Sequence, residues 1–511
     1  MIRTGEANKL MFQKPLKTGG GALPFHMTVL ASKSGVALAS SGLGFTAAAS
    51  GLRDLALEPI AMKVEAGVRL TLEDGHVLYG TRDIWGVCEI ADGVRRRLHG
   101  DVAYYNINRH LNYSNVCALS CKFCEFYRKD GQEGAYTRDM EYVKSEVRKA
   151  VEGGATEIHS VGGLHPKLPF SYYTELMSTI RDTARELGSE LHVKAFTAVE
   201  VVHLAKIAKV YKQDDRVGAI RWVLSKLKEA GLGSLPGGGA EVFDDRVHDE
   251  AYKGKIRSDV WLDVHRVAHE LGLNTNATML YGHIEARHER LIHMDMLRRA
   301  QDRALSRLGY EGVVRNTGAA QAAGEQADVA AGHLGYTGDE GIDVPVVTLT
   351  RPGTPLPGTP GAPDAHGGGY FQTIIPLPFF PDGSELEHLP GPSGLENLRT
   401  IAIARLMLDN FPHVKAFWIM QTVPMAQLML QAGANDVDGT VVWYDITKVG
   451  GSSTHQEVNV WALQKAIREA GCEPVERDTV YRKVQREGKQ WKVDGGAHEV
   501  TGKRTDFDIA S

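Results

Sequence analysis

From Val102 to Val442 the chain repeats one local pattern, a short apolar strand signal followed by an amphipathic helix signal. The strand candidates are Val102–Asn108, Glu157–Val161, Leu191–Phe196, Gly233–Leu235, Asn274–Tyr281, Phe371–Ile375, Val414–Ile419 and Gly439–Val442. Between them, helical periodicity falls on 139–151, 170–187, 199–208, 216–230, 259–271, 287–305, 395–410 and 425–432, with Thr137 as the N-cap expected for the first. Strands that alternate with helices pair in parallel, because each helix supplies the crossover that a parallel neighbour needs. Eight such units are the number that closes a ring, so the expected fold class is α/β, a (β/α)8 TIM-type barrel. A helical N-terminal lead-in precedes it from Leu55, with Ile84, Val87, Cys88, Ile90 and Ala91 at helical spacing.

Three segments depart from the alternation. Residues 1–54 are rich in Gly, Ala and Ser from Gly19 onward. Ala37-Leu38-Ala39 loosely resembles a signal-cleavage site, but Lys33 interrupts the apolar stretch; the expectation is a disordered extension or a start codon assigned too early. Residues 308–369 are rich in Gly, Pro and Ala, hold one strand candidate at Val344–Leu349, and read as a mobile surface insertion between the fifth and sixth strands. Residues 472–511 read as a charged peripheral tail after a barrel domain spanning 55–471. A net charge of −5 gives no electrostatic footprint for nucleic acid or an anionic membrane, and no apolar run is long enough to span a bilayer.

Five cysteines occur, and Cys117, Cys121 and Cys124 lie in one loop just after the first strand. An odd count with such crowding opposes a secreted disulfide framework and favours thiols kept reduced for metal, hence a cytoplasmic protein. The loop reads C-x3-C-x2-C. Iron–sulfur clusters are usually held by four thiolates. A loop that supplies three leaves one iron with a vacant position, as catalytic metal sites do. The bland alternative is a structural zinc site with a distant fourth ligand. Two glycine turns follow at strand ends, Val161-Gly162-Gly163-Leu164-His165-Pro166 and Pro236-Gly237-Gly238-Gly239-Ala240-Glu241. A third strand ends in Thr278-Met279-Leu280-Tyr281-Gly282-His283-Ile284-Glu285. Taken alone, each glycine turn is equally well a tight βα connection, and Glu285 a helix-start carboxylate.

The cysteine spacing, with Phe123 just before the third cysteine, closely resembles the radical S-adenosylmethionine (SAM) superfamily. That resemblance implies a [4Fe–4S] cluster on Cys117, Cys121 and Cys124, with SAM on the open iron. It implies SAM contacts from Phe123, Gly162, Gly163, Thr278, Gly282 and Glu285. The superfamily's Gly-Gly motif is usually followed by Glu, where this chain has Leu164, and Thr278 replaces a glycine. Further strings, Lys194 through Glu200 (KAFTAVE), Leu235 through Phe243 (LPGGGAEVF), Ala277 through Glu285 (ATMLYGHIE), Arg399 through Pro412 and Gly433 through Val442, resemble the aminofutalosine synthases of the futalosine route to menaquinone biosynthesis.

That family implies a transferase in which SAM is a co-substrate. The 5′-deoxyadenosyl radical adds to 3-[(1-carboxyvinyl)oxy]benzoate, and rearrangement with decarboxylation gives 6-amino-6-deoxyfutalosine. It also implies a one-electron reductant such as flavodoxin or ferredoxin. The substrate's carboxylates call for cations, and Arg405, Lys194 and His165 are the catalytic candidates within the matched strings, each with a structural role as the alternative. Trp443-Tyr444 stand where the family suggests acidic residues. Rival readings are a dehypoxanthinyl futalosine cyclase, an enzyme building a deazaflavin precursor from tyrosine, and a non-enzymatic metal-binding or redox-sensing protein.

Overall fold

The computed structural model describes residues 51–310, 347–350, 356, 368–440, 457–493 and 501–502. The extension before 51, most of the insertion and Trp443-Tyr444 lie outside them. Leu55–Leu57 forms a single 3-10 turn. The lead-in helices are α1 (Glu58–Glu65), α2 (Leu72–Gly80) and α3 (Ile84–His99). Thr71 and Asp74 close a reciprocal capping box at the start of α2, and Asp83 caps α3 by accepting from Gly86 N.

The barrel begins with β1 (Val102–Asn106) and β2 (Asn108–His110), one strand signal broken at Ile107. It continues through α4 (Met140–Glu152), β3 (Glu157–Ser160), α5 (Phe170–Glu186), β4 (His192–Ala195), α6 (Ala198–Ile207), α7 (Arg216–Ala230) and β5 (Ser234–Leu235). Then follow α8 (Asp245–Ala251), α9 (Ser258–Glu270), β6 (Asn274–Tyr281), α10 (Arg287–Arg307), β7 (Phe371–Pro378), α11 (Gly394–Met407) and β8 (His413–Val414). Strands β2 to β8 form a seven-stranded parallel sheet in chain order. After α12 (Trp418–Gln421) and α13 (Val423–Leu430), β9 (Asp436–Gly439) carries the sheet round: Asn435 N donates to Val414 O at 3.0 Å, and β9 pairs in parallel with β1. The outcome is a curled α/β barrel whose strands run the same way, with helices outside.

Several boundaries differ from the sequence reading. Asp139, not Thr137, caps α4 by accepting from Tyr142 N at 2.8 Å; Thr137 instead bridges to Ser114. The strand expected over Val414–Ile419 stops at Val414, because Trp418–Gln421 turns helical. The last barrel strand is found at 436–439, ahead of the expected 439–442, of which 441 and 442 lie outside the described residues. Residues 347–350 of the insertion form no strand; Val347 and Leu349 are buried against Ala304, Leu305 and Tyr370.

The segment after 471, expected to be peripheral, enters the barrel at its start. After α14 (Val460–Glu469), β10 (Glu473–Glu476) pairs in parallel with β1, and Arg477 is buried at 1% exposure. Beyond it, β11 (Val484–Glu487) and β12 (Gln490–Val493) form an antiparallel hairpin, to which β13 (Thr501–Gly502) adds an edge. No helix among the described residues is long and apolar enough to cross a membrane.

Candidate active site

The loop after β2 is held by backbone hydrogen bonds from several sides. Cys117 N donates to Arg128 O (3.0 Å), Ala118 N to Leu164 O (2.9 Å) and Lys122 N to Ala251 O (2.9 Å). Lys129 Nζ donates to the carbonyls of Cys117, Ala118 and Leu119 at 3.2, 3.2 and 2.8 Å, a cation placed on the outer backbone of the loop. The three cysteines are free thiols, and all three line one cavity of about 270 Å³ at the C-terminal ends of the strands. Burial pushes the Cys121 thiol up to about 11 and raises Cys124, so metal binding must displace protons there.

Gly162 and Gly163 explain how the loop reaches its place. A side chain at Gly162 would meet the Tyr113 ring, and one at Gly163 would overlap the Val116 carbonyl. The absence of a Cβ therefore admits the cysteine loop against the end of β3, and Gly163 N donates to Ser114 O at 2.8 Å. Glu200, at the start of α6, fastens the same corner. Its carboxylate accepts from Tyr113 Oη (2.7 Å) and Gly162 N (3.0 Å) on one oxygen, and from Thr197 N and Oγ1 (both 2.7 Å) on the other. Burial raises its pKa against the pull of those donors.

On the far wall, Thr278 Oγ1 donates to Gly237 O at 2.6 Å, tying β6 to the glycine turn after β5. Gly238, Gly239 and Glu241 of that turn line the cavity, with Lys255 and the apolar side chains Phe123, Leu280, Leu377, Phe379 and Met420.

Of the residues expected from the sequence, the structure brings together Cys117, Cys121, Cys124, Phe123, Gly162, Gly163 and Thr278 around this cavity. The others are engaged elsewhere. Glu285 accepts from Gly282 N (2.6 Å), His283 N (2.9 Å) and Arg290 Nε (2.7 Å), so it locks the turn that Gly282 makes at φ 89°. His165 Nδ1 accepts from Lys167 N and Leu168 N at 3.1 and 3.2 Å and caps its own turn. Lys194 Nζ is paired with both oxygens of Glu157 at 3.0 and 2.9 Å, below the cavity. Arg405, fully buried, donates to the carbonyls of Gly433, Phe411 and Pro412 and to Asn435 Oδ1, where it stitches α11 to the turns flanking β8 and β9. None of these three residues lines the cavity.

Glu200, Glu241 and Lys255 were not singled out from the sequence. The two glutamates sit in the quoted strings at strand ends, which was the available signal; Lys255 carried none. Among the described residues no three His, Cys, Asp or Glu side chains converge as a single metal ion needs. A closed zinc site requires four ligands at roughly 2.0–2.3 Å from one point. Three thiols lining one cavity, with no fourth protein ligand beside them among the described residues, are the donor set that a [4Fe–4S] cluster with one open iron would use.

This barrel, with a three-cysteine loop over the C-terminal strand ends, defines the class: residues 111–297 match the radical SAM superfamily and 368–489 the CofH/MqnC C-terminal region. The chain is 38% identical over 439 residues to the aminodeoxyfutalosine synthase of Thermus thermophilus, covering 85% of this chain and 98% of that one. It is 36% identical to the enzyme of the same name from Streptomyces coelicolor, covering 83% and 92%. A 5-amino-6-(D-ribitylamino)uracil–L-tyrosine 4-hydroxyphenyl transferase of Methanopyrus kandleri is 30% identical, covering 80% and 91%. Among solved structures, methylornithine synthase shares the fold, with a TM-score of 0.54 at 16% identity over 81% of this chain and 97% of that one. The chain belongs to the aminofutalosine synthase family of radical SAM enzymes. It is thus an enzyme of the radical SAM transferase type, and the family implies an iron–sulfur cluster and SAM.

Proposed function

We propose that the enzyme joins the 5′-deoxyadenosyl group of SAM to 3-[(1-carboxyvinyl)oxy]benzoate, with rearrangement and loss of one carboxyl group as carbon dioxide or bicarbonate, giving 6-amino-6-deoxyfutalosine for menaquinone biosynthesis. Cys117, Cys121 and Cys124 would hold three irons of a [4Fe–4S] cluster, and the unligated fourth would take SAM. When bound and reduced by a donor such as flavodoxin or ferredoxin, the cluster supplies one electron that cleaves SAM to methionine and an adenosyl radical.

The observation that carries this reading is one cavity walled by all three cysteines and by the glycine turns after β3 and β5. Those turns let backbone approach a ligand closely, and Thr278 fixes the far wall. Phe123, Leu280, Leu377, Phe379 and Met420 give apolar surface that suits an aromatic ring and keeps water away from a radical. No acid–base residue is required by an addition to an alkene; positioning is, and rigid strand ends supply it. Phe123, Gly162, Gly163 and Thr278 stand as SAM contacts in this reading. Gly282 and Glu285 act behind them, by shaping the end of β6.

The test is direct. The protein is reconstituted anaerobically with iron and sulfide, then given dithionite, SAM and the enol-ether substrate. Mass spectrometry should find an adenosine-containing product that retains the deoxyadenosyl carbons. Free 5′-deoxyadenosine as the sole nucleoside product overturns the assignment in favour of hydrogen abstraction. A parallel reaction with tyrosine and 5-amino-6-(D-ribitylamino)uracil should give no coupled product. Cys124→Ala should lose both cluster absorbance and turnover; retained activity refutes the cluster ligation.

A further inference from the structure

Among the described residues lining the cavity, Lys255 is the one cation, beside the carboxylates Glu125, Glu200, Glu241 and Asp382. Glu125 pairs with Arg128 at 3.2 Å, and Glu200 has its four donors. Lys255 Nζ donates to Glu241 Oε1 at 2.5 Å and lies 4.9 Å from the centre of the Phe123 ring. Phe123 sits between Cys121 and Cys124 in the chain. The ion pair is thus built against the cysteine loop itself.

Two features of the backbone hold it there. The segment that delivers Lys255 is stitched to the loop, since Lys122 N donates to Ala251 O at 2.9 Å, and Gly254 turns with φ 104° to aim the next residue inward. Glu241 has φ 49°, a left-handed conformation that glycine adopts freely and glutamate does not. The strain persists because Glu241 O accepts from Leu280 N at 3.0 Å, which anchors it to β6. A carboxylate thus occupies a backbone position that favours glycine. A buried ion pair is weak support for stability, so stability is a poor reason for this one.

Reduction of a cluster adds negative charge at the thiolates. A cation nearby favours the reduced form and an anion opposes it, and in a partly dry cavity neither is fully screened. We propose that Lys255 and Glu241 together set the reduction potential of the cluster on Cys117, Cys121 and Cys124, with Lys255 raising it and Glu241 lowering it. The proposal rests on the cluster reading above. Neither residue touches reacting atoms in this role; they are positioning residues for charge.

The experiment is a redox titration of the reconstituted enzyme, followed by electron paramagnetic resonance, without SAM or substrate, so that ligand binding by either residue contributes nothing. Lys255→Met should lower the reduced-to-oxidised ratio at a fixed solution potential at least about tenfold, which for one electron is about 59 mV. Glu241→Gln should shift the ratio the opposite way, and Lys255→Met/Glu241→Gln should return toward the parent. Lys255→Arg should stay at the parent value. Iron content and the reduced-cluster spectrum should be the same in all. Shifts of the same sign, or none, overturn the proposal while leaving the cluster reading intact. A parent enzyme that loads iron but shows no reducible cluster overturns the cluster reading and this proposal with it. If Lys255→Met does not fold, the sign of Glu241→Gln and the neutrality of Lys255→Arg decide.

Discussion

The mouth of the barrel and its floor both gather charged side chains, but they use them differently. At the mouth, glycine turns and apolar side chains leave room, and one ion pair, Lys255–Glu241, faces the open space. In the floor, Lys194 pairs with Glu157, Lys415 with Asp438 at 2.6 Å, and Arg477 with Asp436 at 2.7 Å, all of them buried. These residues come from β3, β4, the ends of β8 and β9, and the stretch after β10, and Arg477, which also lies 3.8 Å from Asp438, links the last two pairs. There every cation already has its anion. Charge in a matched string is therefore no guide to ligand binding unless the space beside it is open.

Breaking a floor pair should have the largest effect on stability. Burial alone would raise the Glu157 carboxyl, but Lys194, then Arg477 and Lys415, outweigh it and hold the group well below the usual carboxylate range. Lys194→Met leaves that carboxylate buried and uncompensated, and should lower unfolding stability by about 3–5 kcal/mol in urea titrations. Lys194→Met/Glu157→Leu should recover most of it, and iron content after reconstitution should be unchanged in the double variant. A double variant that binds no iron would show that the floor takes part in the site.

A change at the mouth should do the reverse. The Cβ of Gly163→Ala would overlap the Val116 carbonyl, which is backbone and cannot rotate away. Overpacking of this kind costs about 1–3 kcal/mol. Its sharper effect should be on the loop, with iron binding lost in a chain that still melts cooperatively. Full iron loading in Gly163→Ala would mean that the corner is softer than its contacts suggest.

Legibility in the sequence divides along the same line. The three cysteines, Phe123 and the glycine turns were readable because their meaning is local: a spacing within one loop, or a missing Cβ at a strand end. The barrel was readable from strand–helix alternation, although the short β8 and β9 were misplaced by a few residues, since two-residue ladders carry little pattern. Arg405, Lys194 and His165 could not be told apart from structural residues in the sequence because direction is not local, and none of them lines the cavity. Lys194 lies on β4 two residues before Phe196, far enough down the strand to meet Glu157 instead of the cavity. Arg405 sits on a helix face buried against backbone carbonyls. Lys255 was invisible because only the turn at Gly254 brings it to the cysteines.

The floor should also impose a pH dependence of its own. His110 is 4% exposed, its ring 4.5 Å from that of His159. Burial pushes its pKa down to about 4, only partly offset by Asp438 and Glu157. The folded chain therefore keeps His110 neutral where the unfolded chain, titrating near about 6.5, has taken up a proton. Stability contributed this way is present above about pH 6.5 and is lost as pH falls toward 4, by about 1.4 kcal/mol per pH unit for one histidine. Other buried histidines, among them His159 and His192, are held neutral in the same way; urea titrations from pH 7 to pH 5 should show the fall, and His110→Asn should reduce its slope by one histidine's share. An unchanged slope in that variant would place the proton uptake elsewhere in the barrel.

The smallest effect is expected at Thr278, and it tests whether the mouth is as rigid as its hydrogen bonds imply. Thr278 stands where the superfamily pattern has a glycine, and its hydroxyl donates to Gly237 O. Thr278→Val keeps the shape and removes the donor, leaving a buried carbonyl with one partner fewer, which should cost about 1 kcal/mol. Iron content should not change, because no atom of Thr278 holds the cysteine loop. SAM affinity, read by equilibrium dialysis on the reconstituted protein, should fall only as far as the Gly237–Gly239 turn loosens. Thr278→Gly would remove the donor and free the backbone as well, so its loss should exceed that of the valine variant. Equal losses would show that the hydroxyl alone fixes the turn. A larger loss in the valine variant would mean that the added methyl intrudes on the ligand, and that this wall of the cavity is in direct contact with it.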